Sequence, residues 1–356
     1  MMSILRTWNR YERRVAVALV DEQRGHGACR SGARRDPTAI VNLRRLHGRD
    51  YGRAPGGRAS IGAGMSASSN PRRVPVLRVP GMKILVTGAT GKVGRRLSKR
   101  LAQRGDQVRA LVRDPERAAD LRAARIELVT GDLLDASSLA AAVRGVDAVV
   151  HCAAFFRGAT AEQAHAVNDL GSQHLAKAAR AASVPRFLFT STGLVYGPTG
   201  GRLAREDDPC APTEAYPASK LAAERFLLGV EGLDVRVLRL PFVYGDGDPH
   251  IEEAVPRMRG YPPTQRLSIG HHADVAQAVA LLLDAPSPAH RLYNVVDDEA
   301  PDLATLFASV GAPPPDGSDA ERARAFDTPL DGRRIREDLG FKPKFPRLAD
   351  AIAARA

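Results

Sequence analysis

Lys83–Gly94 reads KILVTGATGKVG, an apolar run of strand character that enters a glycine-punctuated turn and leaves it as a helix. Each glycine has a separate mechanical reason. Gly88 lets the chain turn tightly out of the strand, Gly91 lets backbone N–H groups approach a bound phosphate, and Gly94 lets the helix pack close on the strand. Phosphates would then sit at the helix N-terminus, where unpaired N–H groups and the helix dipole both favour negative charge. The spacing is GxxGxxG, and Thr90, Lys92 and Val93 fill the positions between and beside the last two glycines. This stretch predicts a strand–turn–helix unit that binds a dinucleotide.

Outward from this unit, strand and helix alternate. Apolar runs suited to buried parallel strands occur at Lys83–Val86, Gln107–Val112, Ile126–Thr130, Asp147–Cys152, Arg186–Thr190 and Val235–Leu240. Helix-period stretches lie between them at Val93–Arg104, Pro115–Ala123, Ser138–Arg144, Ala161–Ala182 and Tyr216–Val230. Such alternation predicts an α/β fold, a Rossmann-type doubly wound parallel sheet. After Tyr244 the pattern changes to a Pro-, Gly- and charge-rich segment, then short pieces near Asp274–Leu283, Arg291–Val295, Leu303–Val310 and Arg347–Ala354. Residues 82–245 are therefore expected to form the dinucleotide-binding domain, its core completed by later segments, and residues 246–356 a small C-terminal substrate lobe over the carboxyl edge of the sheet.

Charge divides the chain further. Residues 1–81 hold 16 Arg, no Lys and five acids, a net +11 of the whole chain's +12, so the remainder is close to neutral. The leader's longest apolar stretch, VAVALV at Val15–Val20, is followed by Asp21 and Glu22 and is short for a secretory core. Met82 stands one residue before the first strand, where a native start codon would fall. Residues 1–81 thus read as a disordered basic extension or a mis-called start, with a transit peptide and a nucleic-acid-binding tail as alternatives. Cys29, Cys152 and Cys210 lie far apart, without a CxxC or a His pair, so neither a disulfide framework nor a metal site is expected. No apolar run approaches the ~18 residues that span a bilayer. The expectation is a cytoplasmic protein with a small-molecule substrate and neither nucleic acid nor membrane as partner.

Cofactor choice is written at the end of the second strand, where an acid would bind an adenosine ribose and a cation would pair with a 2′-phosphate. In QVRALVRDPER the first residue past the apolar run is Arg113, and Lys92 and Arg117 are expected to add charge at the same phosphate. Asp114 reads as a cap for the helix that begins at Pro115. These residues favour NADP over NAD. The second decisive motif is YPASK at Tyr216–Lys220, which puts a phenol and an amine four residues apart on one helix face. A phenol titrating near 10 is poorly matched to neutral pH, and Lys220, with the positive charge of an oxidised nicotinamide, is expected to lower it. His151 and His165 read as packing or hydrogen-bonding residues, and Asp274 as a helix cap.

The chain resembles the extended short-chain dehydrogenases/reductases of the NAD-dependent epimerase/dehydratase family over nearly all of residues 82–356. The resemblance rests on TGATGKVG, GDLLD at Gly131–Asp135, VVHCAA at Val149–Ala154, FTSTGLVYG at Phe189–Gly197, YPASK, RLPFVYG at Arg239–Gly245, HHADVA at His271–Ala276 and YNVVDDE at Tyr293–Glu299. It implies that Asp132 and Leu133 border the adenine, that Ala153 and Ala154 lie along the cofactor, and that Pro241 to Val243 flank the nicotinamide. Counting back from VYG, the family's catalytic hydroxyl position falls on Thr192, with Ser191 beside it. Tyr216 would be the acid/base, and Lys220 its partner and a ligand of the nicotinamide ribose. The implied activity is hydride transfer at an alcohol or ketone carbon. A nucleotide-sugar epimerase or dehydratase is the alternative, and a non-catalytic dinucleotide-binding sensor or assembly factor a second. Only 29 positions separate Gly245 from Asp274, and Arg257, Arg259 and Arg266 are the few cations there to grip a diphosphate, a departure from nucleotide-sugar epimerases. A homodimer through the helices containing YPASK and Ala161–Ala182 is the expected assembly.

Overall fold

Seven parallel strands form the central sheet of the computed structural model, which describes residues 81–354 apart from 157, 159 and 325. The readings of the leader, residues 1–80, fall outside the described residues. The strands are β1 Lys83–Thr87, β2 Gln107–Val112, β3 Glu127–Thr130, β4 Ala148–His151, β5 Arg186–Thr192 and β6 Asp234–Leu240, then β7 Phe242–Tyr244, β8 Ile269–His271 and β9 Leu292–Asn294. Their order in the large sheet is β3-β2-β1-β4-β5-β6-β9, while β7 and β8 pair in parallel as a separate ribbon. From β1 the chain winds outward through β2 and β3, then returns to place β4 on the other side of β1. The winding reverses between β1 and β4, which opens the crevice where ligands bind in such sheets.

Alternation along each strand feeds two cores. Ile84 and Val86 of β1 point to the face covered by α1 Lys92–Arg104 and α7 His272–Asp284, where they meet Leu97, Leu101, Val275, Val279 and Leu282. Leu85 points to the opposite face, toward Leu139, Leu175, Ala176 and Leu227. These come from α3 Ala136–Ala142, from α4, which spans residues 161–181, and from α5 Ala215–Leu228. Helix α4 runs through Ala161–Ala164, a π-helical His165–Leu170 and Gly171–Ala181. A short α2, Ala119–Ala123, follows β2. Strands covered on both faces need apolar side chains on both sides, which is why they read as continuous apolar runs rather than as alternating ones.

The later segments contribute to both the sheet and the lobe. Helix α7 and strand β9 belong to the sheet: β9 pairs with β6, and α7 packs beside α1. The lobe proper is built from the β7–β8 ribbon, α6 His250–Met258, α8 Leu303–Ala308, α9 Ala320–Arg324 and α11 Leu348–Ala353. Tyr244, Ile251, Ile269, Leu303, Phe307 and Leu348 form its core. Helix α10, Arg333–Leu339, returns Ile335 to the sheet. None of the described helices is long and apolar enough to cross a membrane.

Arg236 on β6 is fully buried and fastens α7 to the sheet. Its guanidinium binds Asp234 at 2.6 Å and donates to the carbonyls of Leu282, Ala285 and Pro286 at the end of that helix. Removing one partner of a buried polar cluster strands the others, at a cost of about 3 kcal/mol or more. Arg236→Ala is therefore expected to lower unfolding stability by about 3 kcal/mol in a urea titration. A loss below about 1 kcal/mol would show that water replaces the guanidinium.

Candidate active site

Backbone sterics at the glycine loop fix the crevice. Gly88 sits at φ +68°, and a Cβ there would stand 2.5 Å from the amide nitrogen of Ala153. A Cβ on Gly94 would stand 2.3 Å from the Gly88 carbonyl oxygen, so the loop, α1 and the end of β4 are in backbone contact. Gly91 is the N-cap of α1 and donates its N–H to Gly88 O at 2.9 Å. The helix has neither a side-chain cap nor an acid in its first turn. Its N-terminal amides, from Lys92, Val93 and Gly94, therefore keep the positive end of the helix open to an anion.

A buried hydrogen-bond chain holds this loop to β4 and α4. Ser172 donates to Asn168 O at 2.5 Å and so accepts from His151 Nε2 at 2.8 Å. That assignment leaves His151 Nδ1 to accept the Thr87 hydroxyl at 2.6 Å, while Thr87 Oγ1 accepts the Ala153 amide at 3.3 Å. Burial, with the nearby Lys220 charge, holds His151 well below its ordinary value, so it is a neutral scaffold residue. His165 pairs with Asp169 at 3.1 Å.

At the end of β2 the Arg113 side chain is exposed, and no hydrogen bond or ion pair from another described residue reaches its guanidinium. Asp114 accepts the Glu116 amide at 3.0 Å, while Pro115 stands at the N-cap of the short turn that follows. Lys92 departs from expectation. Its ammonium binds Asp248 at 2.9 Å and Glu253 at 3.0 Å, so it faces the lobe's carboxylates and is taken up there rather than at a 2′-phosphate. Beyond β3, Asp132 Oδ1 accepts the Leu134 amide at 2.9 Å, and Leu133 is buried with its carbonyl 3.2 Å from His174 Nδ1. Ala154 is exposed in the β4 crossover. Pro241 and Val243 flank the step from β6 to β7, and a Cβ on Gly270 would lie 2.9 Å from Pro241 Cγ.

Helix α5 brings the phenol and the amine to the ends of β4 and β5. Lys220 is 1% exposed, with Nζ 3.9 Å from the Phe189 ring centroid, and it interacts electrostatically with His151 and Cys152. Thr192 ends β5, its hydroxyl accepting the Leu194 amide at 3.3 Å, and the neighbouring Ser191 hydroxyl is buried with no hydrogen-bond partner among the described residues. Burial drives Lys220 down from 10.5 to about 7, with Cys152 and Glu224 opposing the shift. Burial also raises Tyr216 above its ordinary value, and no charged side chain counters it. The lowering expected from Lys220 together with an oxidised nicotinamide is not produced at Tyr216 by the protein alone, where burial sets the direction.

Two features were not anticipated. Asn168 is fully buried in the π-helical turn and clamps the β4 crossover, accepting the Phe155 amide at 2.7 Å and donating to its carbonyl at 3.1 Å. The same carboxamide donates to Ser219 Oγ at 3.0 Å, and Ser219 donates to the Tyr216 carbonyl at 2.8 Å. A polar Asn flanked by helix-period apolar residues was the available signal. The second is the buried pair Arg239–Glu224 at 2.6 Å, with Arg239 stacked 4.6 Å over the Tyr196 ring. Asp274, read as a cap of its own helix, instead accepts the amides of Lys344 and Phe345 at 2.5 and 3.1 Å, while His271 caps α7. Of the lobe cations, Arg259 lies beside Asp316, and Arg266 beside Asp302 and the Ala300 carbonyl. Among the described residues, no three His, Cys, Asp or Glu side chains are grouped to hold a metal.

A doubly wound sheet with a glycine loop at its switch point is the architecture of a dinucleotide-binding protein. Residues 84–295 match the NAD dependent epimerase/dehydratase family, and the chain belongs to it. The chain is 35% identical over 184 residues to a 3 beta-hydroxysteroid dehydrogenase/Delta 5→4-isomerase of Mycobacterium tuberculosis, a match that covers 47% of this chain and 48% of the relative. That alignment thus spans about half the relative's length. A 4-hydroxy-2-methyl-3-oxo-4-farnesyl-3,4-dihydroquinoline-1-oxide ketoreductase of Stigmatella aurantiaca is 31% identical over 64% of this chain and 71% of its own. Among solved structures, a dTDP-glucose 4,6-dehydratase of Streptomyces venezuelae with NAD bound superposes with a TM-score of 0.65 at 27% identity, over 77% of this chain and 95% of that one.

The buried amine has a measurable consequence. Its folded-state value lies below its ordinary 10.5, so between about 7 and 10.5 the unfolded chain binds the extra proton. Stability therefore rises with pH across that window, and the penalty is complete below it. Lys220→Met is expected to flatten this rise in thermal denaturation between pH 6.5 and 9.5. Parallel curves for the two proteins would place the amine in water.

Proposed function

We propose that this chain is an NADP(H)-preferring oxidoreductase that moves a hydride between the nicotinamide and an alcohol or ketone carbon. What supports the reading is Lys220, four residues after Tyr216 on α5, buried with Nζ 3.9 Å from the ring of Phe189 on β5, the strand that Thr192 ends. When bound, the cofactor supplies or takes the hydride. In the reductive direction Tyr216 donates its phenolic proton to the carbonyl oxygen as the hydride reaches the carbonyl carbon, and Thr192 orients that oxygen by a hydrogen bond. Lys220 would hold the nicotinamide ribose and, as an ammonium, stabilise the phenolate left after the transfer.

The preference for NADP(H) rests on Arg113, the exposed cation at the end of β2, and no longer on Lys92. Gly88, Thr90, Gly91, Val93 and Gly94 would hold the pyrophosphate by backbone, Asp132 and Leu133 the adenine, and Ala153, Ala154, Pro241 and Val243 the remainder. A nucleotide-sugar epimerase or dehydratase is the second reading, favoured by the dTDP-glucose 4,6-dehydratase likeness. Against it, Arg259 and Arg266 stand beside Asp316 and Asp302. A homodimer is retained as part of the proposal.

Tyr216→Phe is expected to lower kcat by about 10²- to 10⁴-fold, the range of general acid–base catalysis, with the Kd for NADPH unchanged by calorimetry. NADPH is expected to bind about tenfold more tightly than NADH, the scale of one charged hydrogen bond, and Arg113→Ser to erase the difference. Tighter NADH binding by the wild type would overturn the cofactor assignment.

A further inference from the structure

Three cations of α1, Lys92, Arg96 and Arg100, recur at every fourth position and so lie along one face of the helix. All three bind the stretch 246–253, which leads from β7 into α6 and begins the lobe. Arg100 pairs with Asp246 at 2.6 Å, Arg96 donates to the Asp246 carbonyl at 3.0 Å, and Lys92 binds Asp248 at 2.9 Å and Glu253 at 3.0 Å. Asp248 is a firm anchor, its side chain 1% exposed and also held by His272 of α7 at 2.8 Å.

Lys92 belongs to two places at once. It is the first residue of α1, so its own N–H is among the amides that would face the phosphates of a dinucleotide. A helical side chain leans toward the helix N-terminus, which for a first residue is the ground those phosphates would occupy. An ammonium carries three donors. Asp248 and Glu253 take two of them, and no hydrogen bond or ion pair from another described residue takes the third. The side chain is 37% exposed, within reach of a ligand.

We propose that Lys92 is a positioning residue that couples cofactor binding to the lobe: its ammonium bridges a diphosphate oxygen of the dinucleotide to Asp248 and Glu253, so the lobe is held more firmly over the crevice once the dinucleotide is bound. The proposal rests on the dinucleotide-binding reading of the glycine loop and adds a link from that loop to the lobe. Charge balance favours a bridge over a displacement. A diphosphate brings negative charge up to two carboxylates, and an ammonium between them turns each contact into an attraction. An ammonium withdrawn to the phosphate would instead break its pair with the buried Asp248, which is costly. The coupling is reciprocal, so the tie that steadies the lobe also tightens the cofactor.

The test is hydrogen–deuterium exchange of the full chain, read by mass spectrometry on peptides covering 88–95 and 250–258, with and without saturating NADP⁺. In the wild type NADP⁺ is expected to slow exchange in both, by about fivefold in 250–258, the low end of ordinary coupling between two sites. In Lys92→Met the slowing at 88–95 is expected to persist and that at 250–258 to vanish, with the calorimetric Kd for NADP⁺ raised about tenfold, the scale of one charged hydrogen bond. Lys92→Arg, which keeps a cation with several donors, is expected to restore the slowing at 250–258. A merely structural role for Lys92 would speed exchange at 250–258 equally with and without NADP⁺ and leave the slowing by NADP⁺ intact, which would overturn the proposal. Should Lys92→Met fail to fold, Glu253→Gln at a carboxylate 43% exposed serves instead. It is expected to reduce the slowing at 250–258 about twofold, as one of two carboxylate contacts is lost, and an unchanged slowing overturns the bridge. NADP⁺ binding that protects 88–95 alone in the wild type overturns the bridge and spares the dinucleotide reading, whereas no NADP⁺ binding by calorimetry overturns both.

Discussion

The site depends on a contact that admits no side chain. Gly88 lies so close to the Ala153 backbone that a methyl group would overlap it, and Gly94 lies as close to Gly88. With those three backbones in contact, the first turn of α1 is aimed across the end of β1 at the place where the sheet reverses its winding. Thr87 and His151 then join the loop to β4, and Ser172 joins β4 to α4, so the crevice has a rigid floor before any ligand arrives. A larger residue at position 88 would open the floor and misdirect the helix dipole.

Electrostatics divide the same region into two kinds of ground. On the lobe side, Asp248 is buried, yet hydrogen bonds from His272 and Lys92 hold its carboxyl well below the usual range. With Arg96 and Arg100 bound to Asp246, this cluster ties α1 to the start of the lobe and keeps the two walls of the crevice together. On the catalytic side Lys220 is buried over the Phe189 ring, no carboxylate of the described residues is hydrogen-bonded to it, and burial drives it down to about 7.

The sheet was legible because each buried strand is an apolar run closed by a turn signal, and the loop because its glycines carry distinct steric duties. The ribbon β7–β8 was not, since three-residue strands such as Phe242–Tyr244 and Ile269–His271 have no periodicity to read. Helix α6 was hidden by Pro256 within it and by the charged, Pro-rich text around it. Short interrupted pieces after Tyr244 pointed to a small lobe and to later segments completing the core; which ones do so, β9 and α7, is a matter of pairing that spacing alone does not encode. Lys92 shows the same limit for charge: its partner Asp248 is 156 positions away, so its capture was invisible. Likewise the phenol's environment is set by burial, which composition does not report.

Net transfer of hydride to substrate carbon is the central claim, and isotope tracing tests it most directly. The wild-type chain would be incubated with NADPH deuterated at C4, on each face in turn, and a panel of ketones, followed by mass spectrometry of the alcohols. The account predicts deuterium at the carbinol carbon from one face only, with one NADPH consumed per alcohol formed. Label retained wholly on the cofactor across the panel, with nucleotide sugars converted and no cofactor consumed, would contradict it.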